Sequence, residues 1–149
     1  MNIKTHRFLG VFLIAVVTAA MGSVVYRNSR PTGSDQSDAK QLIPWRTDLD
    51  AARQEAIAAK KPLFIEFSAG WCPDCQQMRS QTWTQANVAQ AMNAFIPVQI
   101  DFDSHPDLVK QFGASSIPAI YIVDPGTETI IKQSRGDVLS PDELLAWVK

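Results

Sequence analysis

Trp71-Cys72-Pro73-Asp74-Cys75 contains both cysteines of a 149-residue chain, with two residues between them. The run before it, Leu63-Phe64-Ile65-Glu66-Phe67, is apolar apart from one acid and reads as a buried strand. The stretch after it, Gln76 to Trp83, has neither Gly nor Pro and can continue as a helix. A Cys-x-x-Cys pair where a strand hands over to a helix is the pattern of a redox-active dithiol.

The placement has a physical reason. The first turn of a helix carries unpaired N–H groups and the positive end of the macrodipole. A thiolate at Cys72 is stabilised there, which lowers its pKa from the free value of about 8.5. Pro73 suits the first helical turn, because its missing N–H has no intrahelical partner to lose. Cys75 lies about one turn further on, within disulfide reach and more buried. Cys72 is therefore read as the nucleophile and Cys75 as the resolving thiol.

Other uses of two cysteines fit less well. Structural zinc needs four ligands, and the chain has no second pair; His6 and His105 are far apart. No metal and no bound cofactor are expected. A disulfide closing so short a loop removes little unfolded-state entropy and is a poor staple.

The chain is 46% hydrophobic with a formal charge of −1, consistent with one folded domain. From Trp45 to Lys149 nine Lys/Arg face thirteen Asp/Glu. No basic, aromatic surface for nucleic acid is encoded. Protein thiols and disulfides are the expected partners.

The N-terminus reads as a separate segment. Phe8 to Tyr26 carries no charge, and at about 1.5 Å per residue it nearly spans a ~30 Å hydrocarbon core. Lys4 and Arg7 precede it and favour a cytoplasmic N-terminus, while Arg27 and Arg30 weaken that bias. Small residues around Val17-Thr18-Ala19-Ala20 leave a cleaved export signal as the alternative. The expected organisation is a membrane anchor or signal over 1–27, a flexible polar linker over 28–44 and a folded domain over 45–149.

Within that domain, Thr47 is placed to cap a helix from Asp48 to about Lys60, with Leu49, Ala52, Ala56 and Ala59 as its apolar stripe and Pro62 as its stop. After the redox helix, Thr84 or Asn87 caps a segment presenting Val88, Ala91, Met92 and Phe95. A strand from Ile96 to Phe102, a helix from Pro106 to Phe112 stopped by Gly113, and a strand from Ile117 to Val123 follow. Asp124-Pro125-Gly126-Thr127 is a turn into a hairpin partner, Thr129 to Gln133. Ser140-Pro141-Asp142-Glu143 is a capping box opening a last helix. The order α-β-α-α-β-α-β-β-α describes an α/β domain with a mixed central sheet flanked by helices.

These residues resemble the thioredoxin superfamily over roughly Trp45 to Lys149. Lys61 to Cys72 is similar to that family's strand into a Trp-Cys-x-x-Cys site, Ser116-Ile117-Pro118-Ala119 to its Ile-Pro segment, and Arg135-Gly136 to its closing segment. Lys61-Pro62, Thr82-Trp83 and the tethered N-terminus look most like the C-terminal periplasmic domain of the DsbD family of thiol–disulfide interchange proteins. The chain is too short for that family's multi-helix membrane core, so a stand-alone counterpart is expected.

The resemblance implies a thioredoxin-like fold and specific roles. Pro118 is expected in the cis form, which proline permits at about 0.5–1 kcal/mol, facing the cysteines. Trp71, Ile117 and Pro118 are expected to meet the incoming peptide, with the Ile117 backbone free to pair with it. Glu66 corresponds to a buried acid beneath the second cysteine; burial raises its pKa and lets it take a proton from Cys75. The family more often has Asp there. Pro73 and Asp74 are read as tuning the site: a carboxylate beside Cys72 disfavours the thiolate and lowers the potential. Gln76 in place of a frequent Lys acts the same way.

The expected protein is a protein-disulfide reductase held by a single-pass anchor in a bacterial inner membrane, its domain in the periplasm and its electrons from a membrane or periplasmic donor. The alternative placement is a secreted periplasmic protein after signal cleavage. The alternative activities are an oxidase or isomerase on the same fold, or a Cu(I)-handling assembly factor.

Overall fold

The computed structural model describes residues 41–149. The expected anchor over 1–27 and nearly all of the expected linker lie outside these residues. Nine elements follow in the expected order: α1 (Leu49–Ala59), β1 (Leu63–Ser68), α2 (Pro73–Gln81), α3 (Ala86–Met92), β2 (Ile96–Asp101), α4 (Pro106–Phe112), β3 (Ala119–Val123), β4 (Ile130–Arg135) and α5 (Pro141–Trp147).

The strands form one mixed sheet in the order β2-β1-β3-β4. β1 runs parallel to β2, pairing Leu63 with Ile96 and Ser68 with Asp101. β3 is antiparallel to both β1 and β4. Central β1 is buried at every position, as a strand covered by helices on both faces must be. Alternation divides it. Leu63, Ile65 and Phe67 join Val98, Ile100, Ala119 and Tyr121 against α1 and α4. Phe64 points the other way, into a cluster with Met78 of α2, Trp83, Val88 and Met92 of α3, and Leu144 of α5. Glu66 shares Phe64's face by the same alternation.

Several boundaries differ from the sequence reading for local reasons. Asp48, not Thr47, caps α1, its carboxylate accepting from the Ala51 N–H at 3.0 Å. That helix ends in a left-handed turn at Lys60, before Pro62 is reached. Ala52 and Ala56 are buried while Ala59 is exposed. Neither Thr84 nor Asn87 caps α3, which starts after Gln85 without a side-chain cap. β3 begins only at Ala119, because Ile117 and Pro118 form a separate turn facing the cysteines. The capping box on α5 is present, the Ser140 hydroxyl and the Glu143 carboxylate each accepting from the other's backbone N–H.

Candidate redox site

The site lies where β1 ends and α2 begins. Cys72 is the residue capping α2, in extended conformation, and Pro73 opens the helix. The Cys75 N–H donates to Cys72 Sγ at 3.2 Å, so a helix N-terminal amide is spent on the sulfur rather than on water. The two cysteines are joined as a disulfide with their Cα atoms 5.3 Å apart. Both are buried, Cys72 at 3% exposure and Cys75 at 1%. The anticipated contrast in accessibility is therefore slight in the oxidised state; the two differ instead in position. Cys72 sits at the cap beside Trp71, while Cys75 is one turn inside. Asp74 is exposed in the first turn of α2.

Opposite Cys72 stands the Ile117–Pro118 turn, whose peptide bond is cis. The Ile117 carbonyl oxygen lies 3.8 Å from Cys72 Sγ, and Ile117 packs against the Ala69–Cys72–Cys75 cluster. Pro118 is buried and Ile117 half-buried. Just past β4 the Gly136 N–H donates to the Pro118 carbonyl at 2.8 Å and braces the turn, while Arg135 Nη1 donates at 2.8 Å to the carbonyl of Gly113, where α4 ends. Gly136 has φ +78°, and a Cβ there would meet Ser116 Oγ at 2.9 Å. Glycine suits both the dihedral and the close approach.

Trp71 is 64% exposed yet held in place. Its indole N–H donates to Asp103 Oδ2 at 2.6 Å, and Gln76 Nε2 closes the preceding turn by donating to the Gly70 carbonyl at 2.5 Å. An exposed aromatic fixed beside a sulfur offers contact area at little cost in side-chain entropy. Gln76, read from the sequence only as a missing positive charge, thus also shapes the loop.

Glu66 is fully buried in the middle of β1. Desolvation pushes its pKa up to about 7, partly opposed by hydrogen bonds from Gln99 and Trp83 and by the charge of Arg79. Trp83 Nε1 donates to Oε1 at 3.0 Å and Gln99 Nε2 to Oε2 at 2.8 Å. Each carboxyl oxygen has its own donor.

Trp83 as a donor, Gln99, Asp103 and Arg135 were not assigned these roles from the sequence. Gln99 carries one signal, a polar residue interrupting Ile96-Pro97-Val98-Gln99-Ile100. Its pairing with Glu66 is not written locally, because 33 residues separate the two.

Comparison with known proteins agrees with this geometry. A family model described as thioredoxin-like matches residues 44–125, more than half of the chain. The thiol:disulfide interchange protein DsbD of Neisseria meningitidis serogroup A is 30% identical over 138 residues, 89% of this chain and 21% of that protein. The chain thus spans about a fifth of this curated relative's length. The oxidised C-terminal domain of Neisseria meningitidis DsbD superposes with a TM-score of 0.58 at 27% identity, covering 69% of this chain and 95% of that one. A thioredoxin from Thermus thermophilus superposes with a TM-score of 0.64 at 19% identity, covering 72% and 85%. The latter likeness is one of fold.

Proposed function

Since the chain belongs to the thioredoxin-like family, we propose that its thiol–disulfide oxidoreductase site works as a reductant of protein disulfides. The carrying observation is the Cys72–Cys75 pair at the cap of α2, with the Ile117 carbonyl 3.8 Å from Cys72 Sγ. In the reduced form the Cys72 thiolate attacks a client disulfide. A Cys72–client disulfide forms and one client thiolate leaves. Glu66 takes the proton from the Cys75 thiol, and Cys75 attacks Cys72 Sγ, expelling the second client thiolate. Two electrons pass from the dithiol to the client, and its two thiolates are protonated.

An extended client segment pairs with the Ile117 backbone while Trp71 covers its flank. Asp74, exposed beside the cap, disfavours the Cys72 thiolate by like charge and so favours the reducing direction. The electrons are resupplied by a donor in or at a membrane. Placement in the periplasm on a single-pass anchor rests on uncharged Phe8–Tyr26. Among the described residues no helix is long and apolar enough to cross a membrane.

Cys75→Ser, which keeps the attack but removes its resolution, tests the mechanism. It should accumulate covalent client adducts that dithiothreitol releases, while Cys72→Ser forms none. A folded Cys75→Ser protein without adducts overturns the assignment. A reduction potential of about −250 mV or below supports the reducing direction, and one near about −120 mV overturns it.

A further inference from the structure

The buried acid does not stand alone. β1 and β2 pair Glu66 with Gln99 and Ser68 with Asp101. All four side chains share one face of the sheet by alternation, and together they form a polar strip running from the interior to the sheet's exposed end. Gln99 is half-buried. On one side it donates to Glu66 Oε2 at 2.8 Å. On the other it lines a cleft of about 220 Å³ with Ser68, Arg79, Asp101 and Thr47. Ser68 Oγ is buried along this strip without a hydrogen-bond partner, so the strip offers polar contacts beyond those the chain itself satisfies.

We infer that Gln99 is the positioning residue of this site: its amide holds the Glu66 carboxyl in place from the cleft side and sets the pH at which that carboxyl gives up its proton. The inference rests on the general-base reading of Glu66 for its catalytic consequence, though not for its direct measurement. An N–H donor aimed at one carboxyl oxygen favours the charged form, and a donor lost from a buried carboxylate is not replaced by water. Trp83 holds the other oxygen from the opposite side, but its indole is buried in the aromatic cluster with Phe64 and Trp45. Among the described residues, Gln99 is the one that both hydrogen-bonds the acid and lines the cleft.

Among the described residues few charged groups bear on Glu66. From α2 comes Arg79, whose charge lowers its pKa. β2 brings Gln99 and, at the exposed end of the strip, Asp101; β3 brings the apolar Ile120. A change at Gln99 is therefore not masked by a crowd of neighbouring charges.

The cleft also makes the test practical, because side chains of different length and charge can extend into it. The ¹³C signal of the Glu66 carboxyl is followed against pH in the oxidised full-length protein, in Gln99→Met and in Gln99→Lys. Gln99→Met, similar in size but without the donor, should move the midpoint up by about one pH unit. Gln99→Lys, which puts a cation beside the acid, should move it down by a similar amount. A merely structural role moves both in one direction or neither. An unmoved midpoint in folded Gln99→Met overturns the inference, whatever Glu66 does in catalysis. The general-base reading is tested separately: Glu66→Gln should flatten the pH profile of mixed-disulfide resolution. An unchanged profile there, with the Gln99 shifts present, refutes the base and leaves the positioning intact.

Discussion

Replacing Glu66 by Gln should change how stability depends on pH, and the structure sets the size of the effect. The carboxyl is fully buried, and its pKa rises from the ordinary 4.5 to about 7 mainly through desolvation. Below about pH 4.5 the acid is neutral in both folded and unfolded chains and costs nothing extra. As pH rises toward 7 the unfolded chain loses its proton first, so unfolding releases a proton and stability falls. Above the folded value the loss is complete. At about 1.4 kcal/mol per pH unit it amounts to roughly 3 kcal/mol.

Glu66→Gln keeps the volume and removes the charge. Its amide oxygen can still accept from Trp83, and Gln99 can turn its own amide over to accept from the new NH2. Asp101, Asp124, Glu55 and Glu143 have lowered pKa values from local hydrogen bonds. Their contributions are lost only in acid, below this window. Guanidinium unfolding of the oxidised protein between pH 5 and 9 is the assay. The wild type should lose stability across that range, and Glu66→Gln should lose much less. The variant should match the wild type within about 1 kcal/mol at pH 5 and exceed it by about 2–3 kcal/mol at pH 9. Equal slopes in the two proteins refute the reasoning, because the slope then belongs to other groups.

Two further outcomes probe the walls of the site. Asp103→Ala frees the Trp71 indole and should raise KM for a protein client about three- to tenfold, in line with about 0.5–1.5 kcal/mol for one hydrogen bond, while leaving the reduction potential in place; steady-state kinetics beside a glutathione titration separates the two. Gly136→Ala forces a side chain onto φ +78° and against Ser116 Oγ, and should destabilise by about 1–3 kcal/mol in denaturant unfolding. Adding Ser116→Gly should recover the steric part and leave the dihedral part.

Much of this molecule is local chemistry. The Pro73 start of α2, the Ser140–Glu143 box and the Gly113 stop are each written in a few adjacent residues, and each is found in the fold. Where the local reading slipped, two neighbouring residues offered the same chemistry: Thr47 and Asp48 are both able caps, and only the path of the incoming chain chooses between them. The Ile117–Pro118 stretch reads as the head of a strand from its apolar run, yet it stands off the sheet. Its place is decided by Gly136 and Cys72, which are remote in sequence.

From the amino acids alone came the element order, the dithiol at a helix start and the one acid in a buried strand, because periodicity, capping and cysteine spacing act over a turn or two of chain. Which groups that acid and that tryptophan would meet depended on strand register: Gln99 lies 33 residues from Glu66, and Asp103 lies 32 from Trp71. Register is settled when two faces of the sheet are packed at once, and no short stretch of sequence contains that condition.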